Sequence, residues 1–149
     1  MGENQKENDI FFVCALIEYI ARKTKNTKKQ IIEKIGKEEI IKIYNLAEVY
    51  HCENIDKVSD ELIEKYNIKN GKYDILSKTI NTNPPTHWDI GKVYQRLIIM
   101  ISKSDSDYID KLIEVLTSWI IPEFDNYNSS MYFENPSYIL ACYEEGKIL

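Results

Sequence analysis

A chain of 149 residues has room for one domain of ordinary size, which would bury roughly two-thirds of its unfolded surface. Four prolines, five glycines and 29% charged residues exclude a low-complexity or disordered protein, and no stretch approaches the ~18 uncharged apolar residues of a membrane span. The net charge of −5 is uneven: residues 1–30 carry six basic and four acidic groups, whereas residues 105–149 carry two basic and nine acidic.

The opening MGENQKEND is polar and lacks the basic flank and apolar core of a secretory signal, and Lys6 stands where a myristoylation signal needs Ser or Thr. A cytoplasmic location without membrane attachment is expected, with residues 1–8 disordered. Cys14, Cys52 and Cys142 are odd in number and widely spaced, which argues against a disulfide framework and for three small apolar core residues.

Asn8 or Asp9 is placed to cap a first helix whose inner stripe is Ile10, Val13, Cys14, Leu16, Ile17, Ile20 and Ala21. Glu18 and Arg22, four apart, mark its solvent face. Thr27 with Gln30 forms a capping-box pattern, and the short helix that follows stops at Gly36. A third helix then runs from Ile40 to Tyr50, and Asn54 caps a fourth through Tyr66. Periodicity fails from Asn67 to His87, where Asn70-Gly71 and the polar stretch Asn81 to Pro85 signal turns, so this is the long irregular connection. Thr86 or Trp88 opens a fifth helix containing Gly91, which costs about 1 kcal/mol relative to Ala and so implies close helix packing or a backbone approach. Ser104 with Asp107 caps a sixth helix, Tyr108 to Ile120, that Pro122 ends or kinks. After a polar and aromatic loop, Asp125 to Glu134, the signals of Asn135, Pro136 and Gly146 bound a last helix, Pro136 to Glu145. The expected architecture is one all-α domain of six or seven helices, with an N-terminal helical unit at 10–66 and a C-terminal one at 88–149. Its core includes Ile17, Ile41, Leu62, Leu97, Leu116 and Trp119.

No Gly-rich phosphate loop, nucleophile elbow or clustered metal motif is present, so no cofactor or metal is expected. The chemistry-bearing residues His51, Cys52 and His87 allow an enzyme as one alternative. Basic Lys25, Lys28 and Lys29 beside a helix-turn-helix pattern at 27–50 allow a DNA-binding regulator as another, although Glu38 and Glu39 would face phosphate. The aromatic loop residues Tyr127, Tyr132 and Phe133 beside acidic Glu144 and Glu145 suit an interface, with aromatic anchors inside a charged rim that draws a basic partner.

Ile17-Glu18-Tyr19 with Ala21, the Lys/Thr/Asn stretch Lys23 to Thr27, Gly36, and Tyr44 leading to Tyr50-His51 together carry a resemblance over residues 10–63. They resemble a family of small helical bacterial proteins encoded beside ADP-ribosyltransferase-like toxins. That resemblance implies an antitoxin-like protein that binds a toxin encoded nearby and has no catalysis of its own. Residues 67–149 have no counterpart in it. A non-catalytic protein-binding module is therefore the expected function.

Overall fold

The computed structural model describes residues 4–80 and 83–149, so Met1 to Glu3 and the Asn81–Thr82 part of the polar stretch lie outside the described residues. Helix begins earlier than expected, in what reads as a disordered start. The Asn4 side chain accepts from the Glu7 amide at 2.9 Å and the Glu7 carboxylate accepts from the Asn4 amide, so Asn4 caps α1 (Gln5–Thr24) in place of Asn8 or Asp9. Buried side chains occur all round α1, from Ile10, Phe12 and Val13 through Leu16, Ile17 and Ile20. A helix of that kind belongs in the middle of a domain. It touches α2 (Lys28–Asn45), α3 (Ala47–His51), α4 (Ile55–Lys65), α5 (His87–Ile101) and α6 (Tyr108–Leu116). With α7 (Ile121–Asp125) and α8 (Pro136–Glu145) there are eight helices and no strand among the described residues.

The boundaries differ from those expected in two places, and the second of them raises the count above seven. Past the break at Gly36, where φ 81° and ψ 161° are non-helical, the helix stops again at Leu46. The second stop turns Ala47 into the core and leaves Leu46 and Val49 outside. Further on, Thr117 Oγ bonds the Ile113 carbonyl at 2.6 Å and Ser118 Oγ bonds that of Val115 at 2.6 Å, so hydroxyls compete with the backbone ladder and α6 ends at Leu116. Pro122 then sits in the first turn of α7, where its missing N–H costs nothing, and starts a helix instead of ending one.

These breaks explain the two errors in the expected core. Ile17, Leu62, Leu97 and Leu116 are buried, but Ile41 and Trp119 are each 37% exposed. Ile40, Ile43 and Tyr44 take the inner side of the second segment of α2, and Trp119 lies past the end of α6, where helical phase no longer predicts its direction. Cys14 and Cys142 are buried as expected; Cys52, at the end of α3, is exposed.

Gly91 of α5 faces Ala15 of α1, and a Cβ on it would stand 3.0 Å from the Ala15 Cβ. The long connection is irregular but pinned. The Gly71 amide donates to the Thr24 carbonyl at 2.8 Å and the Tyr73 amide to that of Lys25 at 2.9 Å, which holds the segment over the end of α1.

Candidate functional site

Glu18, assigned by its spacing to the solvent face of α1, is fully buried. It accepts from Arg22 Nε at 2.8 Å, Lys28 Nζ at 2.9 Å, and the hydroxyls of Tyr94 and Tyr127 at 3.2 Å each. Lys28 also reaches Asp125 at 2.6 Å, and Asp125 accepts from the Tyr73 hydroxyl at 2.8 Å. Two acids and two bases thus close a neutral cluster at the junction of α1, α2, α7 and the long connection. Burial alone would raise the Glu18 carboxyl, but Lys28 and Arg22 together outweigh it and hold the group at about 2. Asp125 goes the other way: burial raises it and Glu18 repels it, which together outweigh the pull of Lys28.

From this cluster a chain of rings leads to the surface. The Arg22 guanidinium donates to the Tyr127 hydroxyl at 2.6 Å and lies over its ring, fixing Tyr127 in the core. Tyr127 meets Tyr132 edge-on at 5.6 Å between centroids, and Tyr132 meets Phe133 edge-on at 4.9 Å. The three aromatic residues expected to act alike therefore divide. Tyr127 is buried and withdrawn from any interface by its bonds to Arg22 and Glu18, Tyr132 is half-buried, and Phe133 is 67% exposed.

Phe133 stands on the wall of a groove of about 810 Å³, a size that takes a short peptide or small ligand. Its floor comes from Val93, Leu97 and Met100 of α5 and Ile139 of α8, and one end from Pro84 and Pro85. The charged wall residues Asp89 and Glu134 are engaged by their own chain. Asp89 accepts from the Thr86 amide at 2.9 Å in the α5 cap, and Glu134 accepts from the Ser130 hydroxyl at 2.7 Å.

Other sequence candidates lie elsewhere. Lys28 is 1% exposed and paired, so it cannot contact nucleic acid; Lys25 bridges to Asp74 at 3.7 Å, and Lys29 is exposed. Glu144 and Glu145 are exposed on α8 but do not line the groove. Nor do the nine acids of the C-terminal third share one face, since Asp125 is buried, Asp110 pairs with Lys37 at 2.7 Å and Glu114 with Lys111 at 3.2 Å.

His51 and His87 do converge, but through their rings. His51 packs edge-on against Phe12 and Trp88, and His87 lies edge-on to Tyr19 and tilted against Trp88, in an aromatic cluster between α1, α3 and α5. His87 Nε2 is buried without a hydrogen-bond partner among the described residues, and burial with nearby Arg22 lowers its pKa. The exposed Cys52 thiol donates to the Glu48 carbonyl at 3.5 Å. Among the described residues no three His, Cys, Asp or Glu side chains are placed to hold one ion.

Sequence reasoning missed Arg96 and Met100 as residues of the groove, because a place on one helix does not show what stands opposite it. It also missed Asp125, which looks like a loop residue and whose partner Lys28 is 97 positions away. No protein-family model, curated protein or solved structure matches the chain, so a functional reading rests on this geometry.

Proposed function

We propose that the chain is a non-catalytic protein-binding module that takes a segment of a partner protein into the groove between α5 and α8. Phe133 carries this reading: a large aromatic ring, two-thirds exposed, is propped from behind by Tyr132 and Tyr127 at the edge of an apolar groove. Interfaces centre on rigid aromatic anchors of this kind, which lose little conformational freedom on binding. The resemblance of residues 10–63 supplies the specific form, in which the partner is a toxin encoded nearby and the chain acts as its antitoxin.

The test is co-purification of the chain with the product of the adjacent gene. Phe133→Ala is expected to weaken the complex by about 2 kcal/mol, roughly 30-fold in Kd, and to leave the melting temperature unchanged. Undiminished affinity in that variant would remove the groove from the binding surface. Tyr132→Ala, by contrast, removes the ring wedged between Tyr127 and Phe133, so its melting temperature should fall as well.

A further inference from the structure

Among the charged groups of the groove wall, Arg96 alone is unengaged within the described residues. Asp89 is held in the α5 cap and Glu134 by Ser130, while the Lys92 ammonium is turned 4.6 Å over the ring of Phe11. The Arg96 guanidinium is exposed and has neither an ion pair nor a hydrogen bond there. One turn along the same face of α5 stands Met100, 38% exposed, so the free cation and the apolar surface are about 6 Å apart along the helix.

We propose that the groove selects a partner segment presenting a carboxylate beside a bulky apolar side chain, the carboxylate held by Arg96 and the apolar group seated between Met100 and Phe133. This rests on the protein-binding reading above and deepens it. A planar guanidinium pairs with a carboxylate through two parallel N–H bonds, which gives direction as well as attraction. A phosphorylated segment fits less well, because Asp89 and Glu134 line the same groove and repel a doubly charged group more than a singly charged one. The sign is opposite to the one expected from the summed charge of the C-terminal third, whose acids, apart from Glu134 bonded by Ser130, are buried, paired with lysines or outside the groove.

A library of random peptides, displayed on phage and selected on the immobilised full chain, tests this. The enriched peptides should carry Asp or Glu within a few positions of Leu, Ile, Phe or Trp. Their affinity, read by fluorescence polarisation, should fall about tenfold or more in both Arg96→Glu and Phe133→Ala. Replacing the peptide's acid by Lys should restore binding to Arg96→Glu. A consensus without acid, or affinity indifferent to Arg96→Glu but sensitive to Phe133→Ala, would overturn the carboxylate assignment and leave the binding module standing. Peptides that bind Phe133→Ala as tightly as the native chain, or no enrichment, would overturn both. Equal unfolding midpoints of the two variants and the native chain confirm that affinity, not folding, is being read.

Discussion

At Lys28 a side chain that reads as part of a basic surface run is enclosed, with its ammonium shared between Glu18 and Asp125. Lys28→Met would keep the volume, leave the buried Asp125 without its cation and leave Glu18 to Arg22 alone. Breaking a buried ion pair in this way costs about 3–5 kcal/mol, a large part of a stability of roughly 5–15 kcal/mol, and urea unfolding should show it. Acid acts on the same cluster. The Glu18 carboxyl is lowered on folding from 4.5 to about 2, so the folded state binds fewer protons. Its contribution is complete above about 4.5 and is lost as pH falls from there toward 2. The raised Asp125 has the opposite sign and offsets the first part of that loss. His87 adds an earlier step: its imidazole is lowered below the ordinary 6.5, so the unfolded chain takes the proton first and stability declines as pH drops through that value. Denaturant midpoints measured against pH should lose the step near 6.5 in His87→Phe and the fall below 4.5 in Glu18→Gln, the latter from a lower starting stability. None of this was legible beforehand, because an acid and a base four apart have the same spacing whether they face solvent or close on a third partner far along the chain.

Element boundaries were better written in the sequence wherever a backbone or cap requirement fixes them. Thr27 with Gln30, Thr86, Asn135 with Pro136, and Gly146 mark ends where the structure has them, and Gly36 breaks α2 where a stop was expected. The stops at Leu46 and Leu116 carry no such residue, and apolar periodicity runs straight through both. Gly36 tests the first kind. Its Cβ would meet nothing within 4 Å, so only its φ of 81° resists a side chain, and Gly36→Ala should cost about 1–3 kcal/mol in thermal or urea unfolding. Gly91 tests the approach of α1 and α5. Alanine is the better helix former by about 1 kcal/mol, yet a methyl 3.0 Å from Ala15 must push two helices apart, so Gly91→Ala should lower the melting temperature. A rise would show that the pair can open without loss.

Over the whole molecule, the all-helical class follows from periodicity that recurs along most of the chain, whereas the groove depends on which helices become neighbours. The Tyr132–Phe133 half of its wall was visible as an aromatic loop; the α5 wall was not, since Arg96 and Met100 gain meaning only beside Phe133 and Ile139. Residues 10–66 also look self-sufficient as a run of helices, and the charge cluster denies them that. Lys28 and Glu18 come early, while Asp125, Tyr94 and Tyr127 come late. A fragment ending at residue 80 should therefore show helical circular dichroism but no sharp thermal transition, and a cooperative melt would refute this. The order of synthesis gives the cluster a further consequence. As the chain leaves the ribosome, the first helices emerge with a lysine and a glutamate that must be buried but lack their remaining partners. They must stay solvated and unsettled until the segment around Asp125 arrives, so the late residues act as the latch that commits the early ones to their native packing.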